Sequence, residues 1–515
     1  MVHQITLDAG ESAPGRQKLI SNIKFLLVAG GGLFVDGYLN TTIGLVVPIL
    51  GYIYWKDDKG SVPAIQGDEI KGSFILGMML GQVAFGSLGD ALGRKRVYGK
   101  ESIFTILGTL LVVLLPWKGL STTSIVAWLS VFRFVTGMGA GGDYPMTSAL
   151  SAEHSIVGTR ARLIVMIFSN NALGSMTAGI VLMVLLAAFK GAIGRDINHL
   201  EWVWRLLLGL GIIPAACTLY ARLSMKETRA YEEYVVKKSS GRNYMVQVRE
   251  FRKYFSEWRH ARVLFATAAS WFLYDIASYG ISLNQSIVLD DIGFAGGKDP
   301  WHKLWKIAVG NIIVQLAGWI PGVYLGVFLP DILGRRVLQC GTCVLACIFF
   351  AIWAGVSDVS SSGGLIALFT LSQFALACGP NVTTFLIPAE VFPTRVRGTA
   401  HGISAASGKA GALLTAYSFA TATKQIGLRG VLGLLSAILF LVALVTLLIP
   451  EPKGKTLDEI ENGALYRVRP QTHVLAAGGS EPSDTEVVQV APKAASAQDD
   501  SGMVTFLDTD GHVDC

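Results

Sequence analysis

The sequence predicts an all-α membrane protein of twelve transmembrane helices in two six-helix halves, and three observations carry that prediction. Hydrophobic residues fill 51% of the 515 positions, charged residues only 16%, and the mean hydropathy is +0.49. Such a composition suits a chain solvated by lipid rather than a string of soluble domains. Apolar runs near the ~20 residues that cross a bilayer recur at 23–54, 71–89, 101–118, 124–150, 161–187, 202–224, 262–289, 304–329, 337–356, 363–390, 400–425 and 428–450. Finally, GDALGRKRV at 89–97 returns as PDILGRRVL at 330–338, an offset of 241 residues, each at the end of the second span of its half. A parallel repeat of this kind places a site between the halves near the midplane, which is a transporter arrangement.

Residues 1–22 contain no compact apolar region followed by a small-residue cleavage site, so the first run is expected to remain as an anchor. The basic loops are GRKRVYGK at 93–100, GTRAR at 158–162, the connection 225–261, GRR at 334–336 and PTRVRG at 393–398. All follow even-numbered spans, and the positive-inside bias makes that face cytoplasmic. An even number of spans then puts both termini there. The connection 225–261 divides 23–224 from 262–450 and reads as a solvated linker with one or two amphipathic helices. From 451 to 515 there are 5 Lys/Arg against 12 Asp/Glu, a net −7 that leaves +13 on the remainder. After the charged helix start EPKGKTLDEIE this acidic, Ala-, Gly- and Ser-rich tail is expected to be disordered.

Several classes are excluded. Cys340, Cys343 and Cys347 fall in VLQCGTCVLACIFF, an apolar helix without His or acidic partners, so they read as packing residues and no metal site is expected. The glycines before Asp143 lie in no strand pattern and precede no G-K-[ST], which removes a nucleotide loop. No nucleophile–base pair and no large soluble domain is present, so no enzyme and no nucleic-acid partner is expected.

The informative residues are those that are costly in hydrocarbon, about 3 kcal/mol for a charge at a helix centre. These are Asp36, Arg133, Asp143, Asp275 and Lys409, with Glu101 at an inner helix end. Trp271, Asp275 and Tyr279 follow at i, i+4 and i+8, one helix face about 12 Å long. Two aromatic side chains with polar tips thus flank a carboxyl able to change protonation. Gly137, Gly139 and Gly141 read as a packing face, after which Asp143 stands beside Tyr144 and ahead of Pro145, which frees a backbone carbonyl and bends the helix. Lys409, among Gly, Ala and Ser, needs an anionic partner such as Asp275 or an anionic substrate. In the repeated motif, Asp90 with Arg94 and Lys95, and Asp331 with Arg335 and Arg336, are placed to make ion pairs that hold one conformation and break in another.

Within these stretches, G-x3-D-x2-G-R-K-R at 86–96 and R-x3-G-x-G at 133–139 resemble signatures of the major facilitator superfamily. GGDYP at 141–145, WFLYDIASYGISLN at 271–284 and GPNVTTFLIPAEVFPTRVRGTAHGISAASGKAGA at 379–412 resemble the proton-coupled inorganic phosphate symporters of fungi and plants. The resemblance covers about residues 20–460. It implies the major facilitator fold, a multi-pass plasma-membrane protein, and phosphate and protons as partners, with no cofactor beyond the proton gradient. It implies phosphate held by Tyr144, Trp271, Asp275, Tyr279 and Asn381, with Asn171 in the place of a family Gln. It also implies a proton route through Asp36, Glu101, Asp143 and Asp275. Two positions depart from the pattern: Leu39 stands where a second acid is usual, and Asn171 is one methylene shorter than Gln. A shortened side chain enlarges the cavity, so a carrier of glycerophosphodiesters or another organic anion, or a transporter-like phosphate sensor, is the alternative expectation.

Overall fold

In lipid a chain must satisfy its backbone polar groups internally, so long apolar runs form helices. The computed structural model describes residues 15–465 except 58–59, 118, 156, 238–243, 295–298, 358 and 464. The first half consists of α1 (Gly15–Tyr54), α2 (Ala64–Leu92), α3 (Lys100–Val113), α4 (Thr122–His154), α5 (Arg160–Ala188) and α6 (Ile197–Leu223). The second consists of α7 (Trp258–Ser282), α8 (Pro300–Leu333), α9 (Arg335–Val356), α10 (Ser362–Val391), α11 (397–426) and α12 (428–446). The last two run as one helical stretch broken at Gly427, whose φ of 70° only glycine adopts readily. The twelve expected crossings are present.

Two boundaries differ from the apolar runs for local reasons. α3 stops at Val113 rather than 118 because Pro116 lacks a donor and restricts the residue before it. α7 stops at Ser282, where the Asn284 side chain donates to the Gly280 carbonyl at 3.0 Å and so competes with the helix ladder. The chain resumes in a short helix, Gln285–Asp291.

Glycines set the closest approaches. A Cβ on Gly137 or Gly141 of α4 would fall 2.1 Å from the Phe74 carbonyl oxygen or 2.2 Å from that of Met78 on α2. Reciprocally, Gly77 and Gly81 of α2 face the Phe134 and Met138 carbonyls at 2.1 Å. The expected packing face of α4 is thus one side of a backbone-to-backbone crossing.

The repeated motif builds the same structure twice at one end of the helix bundle. Gly93 (φ 100°) and Gly334 (φ 89°) end α2 and α8 in conformations that side chains resist. Each following arginine folds back onto its helix end, Arg94 donating to the Gly89 carbonyl at 2.8 Å and Arg335 to that of Pro330 at 3.2 Å. Arg94 pairs with Asp90 (2.7 Å) and Glu153 (2.9 Å), and Arg335 with Asp331 (3.6 Å) and Glu390 (2.7 Å). A distant glutamate caps each turn: Glu227 accepts from the Arg94 N–H, Glu451 from those of Arg335 and Arg336. Burial pushes the Glu227 carboxyl above its ordinary range, against the pull of Arg94. Lys95 and Arg336 enter through backbone N–H groups, to Glu227 and Glu451.

These clusters also join the halves. Asp90 accepts from the N–H groups of Gly398 (3.0 Å) and Thr399 (2.6 Å) at the start of α11. Arg94 donates to the Thr394 carbonyl at 3.1 Å, and Glu153 meets Arg397 at 3.5 Å. Arg162 pairs with Asp331 at 2.8 Å. At the opposite face Lys71 of α2 donates to Asn284 at 3.0 Å.

The linker is partly docked rather than solvated throughout. The Tyr231 hydroxyl donates to the Asp90 carbonyl at 3.0 Å, and Gln247, on a helix spanning Tyr244–Phe255, donates to the Arg395 carbonyl. The first part of the acidic tail is ordered as well: Thr456 and Glu459 form a capping box for a short helix, and Glu461 accepts from the Thr394 N–H at 2.7 Å. Its expected disorder beyond residue 465 lies outside the described residues.

The α2–α4 crossing predicts the effect of one methyl group. Gly141→Ala forces the backbones apart and should lower stability by about 1–3 kcal/mol, read as earlier thermal unfolding in detergent. Gly341→Ala, which meets nothing within 4 Å, should unfold with the parent; equal unfolding of both variants counts against the crossing as a stability determinant.

Candidate substrate site between the halves

In the first half, α1 and α5 touch through backbone: a Cβ at Gly37 would lie 2.0 Å from the Asn171 carbonyl oxygen. That contact lets neighbouring side chains meet. Asp36, 1% exposed, accepts on Oδ2 from the Asn171 amide (2.8 Å) and from the Tyr144 hydroxyl (2.7 Å). Its Oδ1 has no partner among the described residues.

The second half supplies the cation. Lys409 of α11 donates to Asp275 Oδ2 at 2.9 Å and to the Tyr279 hydroxyl at 2.8 Å. Its ammonium also lies 4.2 Å from the Tyr279 ring centre and 5.5 Å from that of Tyr144, across the boundary between halves. Gly408 makes room for Trp271, since a Cβ there would fall 2.4 Å from the indole Cδ1. Asn381 is positioned by the break in α10 at Gly379–Pro380, and its Oδ1 accepts from the Tyr274 hydroxyl at 3.2 Å. A discontinuous helix is tolerated at membrane depth where it lines a cavity.

These side chains surround one cavity. Tyr144, Asn171, Trp271, Asp275, Tyr279 and Asn381 all line it, with Lys409, so the structure brings every residue expected at the substrate together. Its volume is ≈ 70 Å³, on a scale where one water needs about 10–15 Å³. The wall carries one ammonium, one carboxylate and a surplus of neutral donors, an arrangement suited to a small oxyanion.

The expected proton-route residues divide into two groups. Asp275 lines the cavity, and Asp36 stands directly behind Tyr144 and Asn171. Asp143 and Glu101 belong to a separate buried cluster around Arg222. Arg222 Nη1 lies 2.8 Å from Asp143 and 3.3 Å from Glu101, and its Nη2 donates to the Ala29 carbonyl at 3.2 Å. Gly32 permits this, because a Cβ there would sit 2.1 Å from Asp143 Oδ2. With both acids ionised the cluster carries a net −1, so it has room for one proton. Sequence reasoning missed Arg222. It falls inside the apolar run 202–224, but an arginine near the end of a membrane-spanning helix ordinarily extends toward the headgroups, which hid it.

Leu39 does not line the cavity. It is buried against α6, where a Cβ on Gly211 would meet it at 3.0 Å. Two of the three cysteines pack against α12, with Cys340 Sγ 3.3 Å from the Ala443 carbonyl and Cys347 Sγ 3.3 Å from the Ser436 hydroxyl, and Cys343 is buried.

Residues 31–416 match the family model of the Major Facilitator Superfamily. A putative inorganic phosphate transporter of Schizosaccharomyces pombe is 38% identical over 505 residues, covering 86% of this chain and 88% of that one. The inorganic phosphate transporter PHO84 of Saccharomyces cerevisiae is 33% identical, covering 85% and 84%. The low affinity inorganic phosphate transporter 1 of Petunia hybrida is 33% identical, covering 87% and 95%. The solved proton:xylose symporter XylE, bound to 6-bromo-6-deoxy-D-glucose, superposes with a TM-score of 0.65 at 18% identity, over 86% of this chain and 98% of its own. That likeness shows the fold, and together with the sequence relatives it establishes that the chain belongs to the Major Facilitator Superfamily, among inorganic phosphate transporters of fungi and plants.

Proposed function

We propose that this protein is a proton-coupled symporter that imports inorganic phosphate across the plasma membrane by alternating access, with both termini cytoplasmic. The observation that carries the reading is the Lys409–Asp275 pair on the wall of a cavity between the halves, faced by neutral donors from both. The phosphate relatives supply the substrate class. The resemblance to proton-coupled symporters supplies the driving ion, and no other cofactor enters the cycle.

The electrostatics tie the two solutes together. While Asp275 is ionised it neutralises Lys409, and a phosphate beside it meets a like charge in a medium of low dielectric. A proton on Asp275 removes that repulsion and frees the ammonium for the anion. Tyr144, Asn171, Trp271, Tyr279 and Asn381 then offer neutral hydrogen-bonding groups to the remaining phosphate oxygens. Loss of the proton on the cytoplasmic side restores the ion pair and expels the anion. Asp36, Glu101 and Asp143 relay protons, with Arg222 holding the latter two.

The cytoplasmic clusters are the gate. Asp90, Arg94 and Asp331 close that side through the contacts across the halves described above, with Arg335 paired to Asp331, while Lys95 and Arg336 shape the turns. The halves 23–224 and 262–450 rock about the cavity, joined by 225–261.

Asp275→Asn should abolish proton-driven accumulation of labelled phosphate in proteoliposomes while retaining phosphate–phosphate exchange; accumulation by that variant with normal pH dependence would overturn the coupling role. Glu153→Gln removes the acid shared by Arg94 and Arg397, so the cytoplasmic side should open more often. In a background whose native cysteines are replaced, Ser148→Cys should then be alkylated from that side several-fold faster than with Glu153 intact. An unchanged rate would show that the cluster does not hold the gate.

A further inference from the structure

The cavity wall carries a second set of polar groups, uncharged amides, that the phosphate cycle leaves unused. Gln315 and Trp319 of α8, Gln373 of α10, Gln285 after α7 and Asn40 of α1 all line it. Four of these amides have a polar atom with no protein partner among the described residues: Asn40 Oδ1, Gln285 Nε2, Gln315 Oε1 and Gln373 Nε2. Gln373 is 3% exposed and Gln285 8%. Buried polar groups are almost always hydrogen-bonded, and an orphan calls for an explanation. Four orphans on the wall of one cavity call for a common one.

Their chemistry differs from that of the groups around Lys409. Amides are uncharged and present donors and acceptors side by side, which suits a hydroxyl group, itself donor and acceptor. A phosphate oxyanion needs donors and a cation, and gains little from free carbonyl oxygens. Trp319 adds an aromatic surface for carbon-bound hydrogens. Gln315 and Trp319 sit at the two ends of a π-helical turn, Gln315–Trp319, within α8. Such turns insert a residue into the helix and occur often at functional sites.

We propose that this amide set is a subsite for the alcohol part of a phosphate monoester, so that the carrier accepts small polyol phosphates with the phosphoryl group at Lys409 and the hydroxyls among Gln285, Gln315 and Gln373. The inference rests on the phosphate reading for the orientation of the ester. It extends that reading to a ligand with two chemically distinct ends, matched to the two sets of groups on the cavity wall.

The test uses the full-length protein in proteoliposomes, with uptake of labelled phosphate driven by an inward proton gradient. Glycerol 3-phosphate should compete at least tenfold better than methyl phosphate, which has the ester but no hydroxyl, and vesicles preloaded with glycerol 3-phosphate should drive counterflow of labelled phosphate. In Gln315→Leu and Gln373→Leu the ratio of the glycerol 3-phosphate inhibition constant to the phosphate KM should rise at least tenfold. Equal competition by the two esters in the unmodified protein overturns the proposal, and needs no variant to fold. So does loss of both ligands in parallel in the variants, which would assign the amides to phosphate or its hydration. Absence of phosphate uptake, with labelled glycerol 3-phosphate still accumulated, would instead overturn the phosphate reading and leave the subsite standing.

Discussion

A charge within the bilayer must be met by an opposite charge or by a proton, and the arrangement of this molecule follows from that requirement. Lys409 is 2% exposed and lies far from either end of α11, so its ammonium persists only because Asp275 stands 2.9 Å away. The pair is stable as a pair and costly when broken, since an orphaned buried charge loses its compensation. An anion and a proton arriving together exchange one compensation for another without leaving the ammonium alone. In the proposed cycle, coupling is then a consequence of charge balance rather than an added device. Arg222 obeys the same rule with two acids around one guanidinium.

Polar groups can meet this way only if helices approach closely enough for short side chains to reach. Gly37, Gly32 and Gly408 do that work at the three polar clusters, each bringing a backbone or a large side chain into space that a methyl group would occupy. Gly77, Gly81, Gly137 and Gly141 do it between α2 and α4, which fixes the helix that carries Asp143 and Tyr144. The residue that bears the chemistry and the glycine that admits it are separate parts, and a change in either displaces the other.

Much of this was legible in the sequence. Apolar run length, loop charge and the repeated D-x2-G-R motif specify twelve crossings and their two-fold grouping, because lipid leaves the chain few alternatives. The cavity-lining residues were legible for a different reason: a carboxyl and a lysine in hydrocarbon, and aromatic residues flanking that carboxyl on one face, have few purely structural uses. What stayed hidden depends on contacts between distant elements. Leu39 and Asn171 look equivalent as departures on the chain, yet Leu39 turns toward Gly211 while Asn171 holds Asp36. Glu227 and Glu451 lie in charged connecting segments, where nothing local distinguishes the glutamate that caps a turn from its solvated neighbours.

Those two glutamates show how far the internal repeat extends. Each half contains an Asp, a glycine turn, an Arg, a glutamate from the end of the fourth or tenth helix and a capping glutamate from the segment that follows the half. The halves then use the same cluster differently. In the first, the side chains of Asp90, Arg94 and Glu153 are buried and each contacts the loop before α11 or its first residues. In the second, Arg162 pairs across the boundary with Asp331, their side chains 50% and 18% exposed, and Arg160 donates to the Lys455 carbonyl at 3.0 Å. Solvent screens the exposed pair and leaves the buried cluster at nearly full strength. Two structurally equivalent elements therefore contribute unequally to the contacts between the halves, the cluster at the end of α2 through its buried side chains.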